Sequence, residues 1–287
     1  MKISEKICNG KPTFSFEIFP PKKTSPIETI YNTLDELKDL SPDFISVTYG
    51  AGGGSGNHST CKIAGDIKKI YNIEAVAHLT CISNTKEDII SILDDFKSNG
   101  IENILALRGD INPNFPPKDD FKYADELVRF IKENGDFCIL GACYPETHIE
   151  AADSITDIIN LKKKIEAGVS HLITQLFFDN ECFYAFREKL AIAGINVPVE
   201  AGIMPVTNKK QIERMVSLCG ASLPRKFSRV IQKYENNPEA LRDAGIAYAV
   251  DQIVDLLSSG VDGIHLYTMN NPYVARKITE SISGLLT

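Results

Sequence analysis

The stretch Phe14-Ser15-Phe16-Glu17-Ile18-Phe19-Pro20-Pro21-Lys22 decides the fold. It opens with a strand-like apolar run. An open doubly wound sheet would usually follow its first strand with a glycine-rich nucleotide turn, and here the chain continues Pro20-Pro21-Lys22 instead. Further strand-like runs recur at Phe44–Tyr49, Ala75–Cys81, Ile104–Leu107, Phe137–Cys143, His171–Phe178, Val197–Ile203 and Gly263–Met269. Between them lie segments with helical spacing, among them Ile27–Leu40, Lys86–Asn99, Asp120–Asn134 and Asp153–Gly168. In the last of these Ile155, Ile158, Ile159, Leu161 and Ile165 read as one apolar stripe, ended by Gly168. Eight strand–helix units predict parallel pairing and match the number that closes a (β/α)8 barrel. Before the last strand, Asn208–Leu218, Pro224–Tyr234 and Pro238–Ser259 read as helical where a simple barrel needs one helix. The fold expected is a single α/β barrel over residues 1–287 with an extra helical segment there.

Composition narrows the class. With 43% hydrophobic and 24% charged residues the chain is neither disordered nor collagen-like. A net charge of −7 argues against a protein held to nucleic acid by overall charge. No window approaches the roughly 20 apolar residues of a membrane-spanning helix, and the N-terminus lacks a secretory pattern. The seven cysteines are odd in number and contain no C-x-x-C pair, so neither a disulfide framework nor a zinc knuckle is indicated. A cytoplasmic location is expected.

In such a barrel the active-site groups stand where strands reach their C-terminal edge. The first strand delivers Glu17, the second Thr48 and Tyr49, the third His78 and Thr80, and the fourth Arg108-Gly109-Asp110. Tyr144, Glu146 and His148 follow the fifth, Gln175 the sixth, and His265, Tyr267 and Asn270 the last. Period-two alternation puts Ser15, Glu17 and Phe19 on one face and Phe14, Phe16 and Ile18 on the other. The bulky face suits helix packing, so Glu17 is expected to point into the barrel mouth. A carboxyl in a partly dry pocket has its charged form disfavoured and can serve as general acid near neutrality, the lesser alternative being a barrel-interior Glu paired with Arg or Lys for structure. Gly50-Ala51-Gly52-Gly53-Gly54-Ser55-Gly56 completes neither a P-loop nor a dinucleotide fingerprint. The five histidines show no metal-ligand spacing, and no metal is expected. Asp157, Asn160 and Lys164 share a helical face beside Lys162 and Lys163, which reads as a solvated side unless a ligand lies there.

Taken in order, Phe16-Glu17-Ile18-Phe19-Pro20-Pro21, Ser46-Val47-Thr48-Tyr49-Gly50-Ala51, His78-Leu79-Thr80-Cys81 and Ala106-Leu107-Arg108-Gly109-Asp110 form a series. Tyr144-Pro145-Glu146-Thr147-His148, Ile173-Thr174-Gln175-Leu176-Phe177-Phe178-Asp179, Gly202-Ile203-Met204-Pro205-Val206 and His265-Leu266-Tyr267-Thr268-Met269-Asn270 continue it. The chain closely resembles the bacterial 5,10-methylenetetrahydrofolate reductases over nearly its full length, without the regulatory domain of eukaryotic relatives. The resemblance implies noncovalent FAD, and a ping-pong cycle in which NAD(P)H reduces the flavin, leaves, and is replaced by methylenetetrahydrofolate. Glu17 would be the acid that opens the folate's five-membered ring to an iminium. Asp110 would lie between flavin and pterin, and Gln175 would contact substrate. The family's flavin contacts map onto Thr48, Tyr49, Ala51, His78, Arg108, Gly109, Asp110, Tyr144, His148, Asp157, Asn160, Lys163 and Lys164. A homo-oligomer is expected.

Two departures concern the folate tail. Met269-Asn270-Asn271 stands where many members have Leu-Asn-Arg, leaving Arg276 as a substitute, and Lys209 replaces a substrate-packing Phe. Three rival readings stay open: a flavin subunit fed electrons by a partner protein, a non-redox barrel lyase using Glu17, and a folate-binding module without turnover.

Overall fold

The computed structural model describes all residues except 7–9, 22–24, 50–55, 112–115 and 287, and describes 56–58 by backbone only. Eight parallel strands close on themselves in sequence order. They are β1 (Thr13–Ile18), β2 (Phe44–Val47), β3 (Glu74–Thr80), β4 (Asn103–Leu107), β5 (Cys138–Cys143), β6 (His171–Thr174), β7 (Val199–Ile203) and β8 (Gly263–Tyr267). Helices α2 (Glu28–Leu37), α3 (Gly56–Tyr71), α4 (Lys86–Ser98), α5 (Ala124–Asn134), α6 (Ser154–Ala167) and α7 (Asn180–Ile192) follow the first six strands. A short α1 (Ile3–Lys6) precedes β1; α8 (Lys209–Cys219), α9 (Arg225–Tyr234) and α10 (Pro238–Ser258) separate β7 from β8, and α11 (Pro272–Ile282) follows. The (β/α)8 expectation and the surplus helices both hold.

Strand parity explains the layering. Phe14, Phe16, Ile18, Ile45, Val47, Leu79, Ile104, Ile139, Leu172, Ile203 and Leu266 point outward and join the helices in the main core. The alternate residues fill the barrel, and that interior is divided. On the β2–β6 side it is apolar, with Phe44, Val76, Leu105, Cys138, Leu140 and Ile173 closed from below by Ile3 of α1. The backbone N–H of Ile3 donates to Asn103 Oδ1 at 2.8 Å. On the β7–β8–β1 side the interior is polar, with Thr13, Ser15, His265 and Glu200 all buried.

Local caps set the helices. Thr85 and Asp88 form a reciprocal capping box at α4, Asp153 accepts from Thr156 N–H at α6, and Asn237 with Pro238 starts α10. On α6 the sequence stripe is corrected: Leu161 is buried and Ile158 and Ile165 are partly so, while Ile155 and Ile159 face outward at 72% and 52% exposure. The buried arc is the narrower i, i+3, i+7 line, because the helix lies on the barrel along one edge only.

Several apolar runs also end sooner as strands than alternation suggests. On its β7 side β6 stops at Thr174 because the groups that would extend that ladder are taken by side chains. Gly202 N–H donates to Thr174 Oγ1 at 2.8 Å, and Tyr267 Oη donates to the Thr174 carbonyl at 2.6 Å. Leu176 and Phe178 then pack with Met204, Phe227, Ile231 and Leu241 in a second core under α8–α10.

Candidate active site

A cavity of about 500 Å³ opens at the C-terminal end of the strands. Glu17, Thr48, Tyr49, His78, Arg108, Gly109, Asp110, Tyr144, His148 and Gln175 all line it. These residues come from six strands and their following loops, so only barrel closure brings them together.

Glu17 sits at the inward end of β1 and is 7% exposed. The β1–β8 register places it opposite Tyr267, and its carbonyl accepts from Thr268 Oγ1 at 2.7 Å. Its Oε2 lies 3.5 Å from His78 Nε2 and 3.8 Å from His265 Nε2. Burial pushes the His78 pKa down to about 4, against the pull of the nearby Glu17 carboxyl, so at neutral pH this imidazole is uncharged. His78 Nε2 has no hydrogen-bond partner among the described residues. Tyr267 is likewise held as the neutral phenol by burial, with Glu17 adding to the effect.

Across the cavity Arg108 holds Glu150 through its two terminal guanidinium nitrogens, at 2.5 and 2.8 Å. That pairing raises the arginine and lowers the glutamate pKa. The Glu150 N–H donates to His148 Nδ1 at 3.1 Å, and the His148 ring meets Tyr144 edge-on at 4.6 Å. Burial pushes the Tyr144 phenol up, with Asp110 the next contributor. Gly109 adopts φ +86°, and a Cβ there would stand 3.0 Å from Thr80 Cβ. Only glycine leaves the backbone bare at this point of the wall.

The α6 candidates divide. Asp157 Oδ2 accepts from His148 N–H at 2.9 Å and so fixes the loop carrying His148 and Glu150. Lys164 Nζ donates to the Ala142 carbonyl at 2.6 Å, and burial lowers its pKa. Asn160 and Lys163 pair with each other at 3.2 Å on the exposed side and do not line the cavity. Ala51 lies outside the described residues.

Gln175 directs its amide oxygen to Leu176 N–H at 2.9 Å, and Asp110 stands exposed at the rim. The tail substitutes are engaged elsewhere. Lys209 pairs with Glu235, Arg276 donates to the Glu36 carbonyl at 2.8 Å, and Asn271 caps α11. Strand-end reasoning missed the apolar wall: Leu105, Leu107, Ile173, Met204, Met215 and Met269. Inward parity signals the first four, but Met215 arrives from α8, which no strand pattern reveals.

A closed parallel barrel with a buried carboxyl, neutral imidazoles and a cation converging at its C-terminal mouth defines a barrel enzyme. The methylenetetrahydrofolate reductase family model matches residues 2–283. The 5,10-methylenetetrahydrofolate reductase of Pectobacterium carotovorum subsp. carotovorum is 39% identical over 273 residues, covering 95% of this chain and 91% of that protein. Its counterpart in Escherichia coli (strain K12) is 37% identical over the same coverage. Methylenetetrahydrofolate reductase (NADH) 1 of Arabidopsis thaliana is 36% identical over 94% of this chain, which spans 49% of the plant protein. Among solved structures, a Clostridium thermocellum protein described as binding two copies of 5-methyl-5,6,7,8-tetrahydrofolic acid superposes with a TM-score of 0.67 at 15% identity, over 98% of both chains. That likeness concerns the fold. The chain belongs to the methylenetetrahydrofolate reductase family, and it is an enzyme.

Proposed function

We propose that this chain reduces 5,10-methylenetetrahydrofolate to 5-methyltetrahydrofolate by a ping-pong cycle through noncovalent FAD, with NAD(P)H as electron donor. The observation that carries the reading is the meeting of Glu17, Asp110 and Gln175 in one cavity whose other wall is Arg108, Tyr144 and His148. The residues present fit a flavin. His78 offers a buried, unpartnered Nε2, Gly109 offers bare backbone, and Arg108 supplies a cation beside aromatic rings. Thr48, Tyr49, Ala51, His78, Arg108, Gly109, Asp110, Tyr144 and His148 would hold FAD. Asp157 and Lys164 would support its ribityl–phosphate side, and Asn160 and Lys163 would meet it only along the outer face of α6. When bound, the flavin supplies the carrier on which hydride passes from nicotinamide to the folate methylene carbon.

The chain's own groups do the rest. Glu17, flanked by the uncharged His78 and the neutral Tyr267, gives its proton to a folate nitrogen. The carbon–nitrogen bond of the five-membered ring then breaks, its electron pair stays on that nitrogen, and the methylene carbon becomes an electrophilic iminium. Asp110 at the rim would bind the pterin and tune the flavin potential, and Gln175 would orient substrate. Among the described residues no helix is long and apolar enough to cross a membrane. The six described cysteines are all free, which supports a reducing cytoplasm.

The test is anaerobic. FAD-reconstituted protein is mixed with NADH or NADPH and the visible flavin band is followed, then methylenetetrahydrofolate is added. Bleaching followed by recovery is expected. A flavin that neither reduced nicotinamide bleaches would overturn the donor assignment and direct the search to a partner electron donor, and protein that binds no FAD would favour a lyase.

A further inference from the structure

Beneath the cavity the barrel interior holds a carboxylate that the reaction above does not use. Glu200, on the inward face of β7, is completely buried. Its Oε1 accepts from Thr13 Oγ1 at 2.6 Å and its Oε2 from Ser15 Oγ at 2.5 Å. His171 Nε2 lies 3.2 Å from Oε1, and His265 Nδ1 lies 3.7 Å from Oε2. Gly263 makes the room: a Cβ there would sit 2.0 Å from Thr13 Oγ1 and 2.8 Å from Glu200 Cγ. Burial works against ionisation of Glu200, but the neighbouring His171 and the Ser15 hydroxyl outweigh it and hold its pKa below the ordinary value.

Hydrogen-bond directions follow from the inventory of donors. An ionised carboxylate only accepts, so the single hydroxyl hydrogen of Ser15 goes to Glu200. Ser15 Oγ must then accept from its neighbour at 2.7 Å, His265 Nδ1. With hydrogen on Nδ1 and none on Nε2, the ring presents a lone pair at Nε2. That nitrogen faces Ser46 Oγ at 3.4 Å and Glu17 Oε2 at 3.8 Å. The other titratable groups facing Glu17 are His78 from β3 and Tyr267 from β8, both uncharged at neutral pH.

We propose that Glu200 is a positioning residue for the proton donor: acting through Ser15, it fixes His265 as the Nδ1–H tautomer, whose Nε2 lone pair keeps the proton on Glu17 until the folate takes it. The proposal rests on Glu17 being the acid. After transfer to the folate nitrogen the Glu17 carboxylate recovers a proton from solvent at the cavity mouth, while Glu200 stays ionised throughout.

The test compares Glu200→Gln with Glu17→Gln in the two half-reactions of the flavin-loaded protein. Glu200→Gln is expected to leave flavin reduction by NAD(P)H unchanged. Reoxidation by methylenetetrahydrofolate should fall about tenfold at neutral pH, its decline with rising pH starting about one unit lower, since one unit is a tenfold change in the protonated population. If Glu17→Gln abolishes reoxidation while Glu200→Gln keeps the wild-type pH profile, the proposal is overturned and the acid stands. If Glu17→Gln still reoxidises normally, the acid assignment itself fails. Should Glu200→Gln not fold, nitrogen NMR of wild-type protein labelled at histidine decides. His265 protonated at Nδ1 alone supports the proposal, and protonation at Nε2, with or without Nδ1, overturns it.

Discussion

Replacing His78 by Gln tests how dry the wall beside Glu17 is. In the folded protein burial holds the His78 pKa near 4, against 6.5 for the free side chain. Between those values the unfolded chain binds a proton that the native state refuses, so stability is full above pH 6.5 and is lost as pH falls toward 4. The two pKa values give a loss of about 2 kcal/mol at pH 5 and roughly 3 kcal/mol at pH 4, at 1.36 kcal/mol per unit. Gln fills a similar volume and takes up no proton in this range. At about 2–4 °C per kcal/mol for a chain of this size, the wild-type melting temperature should drop about 4–8 °C further than that of His78→Gln between pH 8 and pH 5. Thermal melts of both proteins at equal flavin occupancy measure this, and contributions from other titrating groups cancel in the difference. Equal drops would mean that His78 accepts its proton as readily in the folded protein as in solution, and that the wall beside Glu17 is not dry.

Two other substitutions probe the walls of the site. In Gly202→Ala the new Cβ would stand 2.3 Å from the Thr174 carbonyl oxygen and 2.7 Å from Tyr267 Oη, displacing the buried Tyr267–Thr174 hydrogen bond. A loss of about 2–5 kcal/mol is expected from overpacking plus the broken bond, read by urea denaturation. Arg108→Lys keeps the charge but loses the two-pronged grip seen on Glu150. FAD should bind about 10- to 150-fold more weakly in a fluorescence titration, the equivalent of the roughly 1.5–3 kcal/mol of a charged hydrogen bond.

The barrel was legible because outward residues such as Phe14, Phe16, Ile45 and Leu266 advertise helix-covered strand faces, and Pro20-Pro21 stands where a nucleotide turn would be. Strand ends were less legible. Leu176 and Phe178 read as strand because they are apolar, yet they serve the second core under α9 and α10, a use set by tertiary packing. Much of the cavity could be found from strand ends, since inward parity and the C-terminal edge together specify residues such as Glu17, His78 and Gln175. Glu150 as the partner of Arg108, Met215 from α8, and the Glu200–His171 contact depend on which loops and strands meet across the barrel. Single-strand patterns carry no such information. On α6 the stripe containing Ile155 and Ile159 misled because both arcs of that helix carry isoleucines, and only the contact with the barrel selects one.

Whether Glu17 is the proton donor to the folate is decided by Glu17→Gln in an anaerobic two-step experiment. The variant should bind FAD and bleach with reduced nicotinamide at the wild-type rate, and methylenetetrahydrofolate should then fail to restore the flavin band. Recovery of the band at the wild-type rate would remove Glu17 as the proton donor.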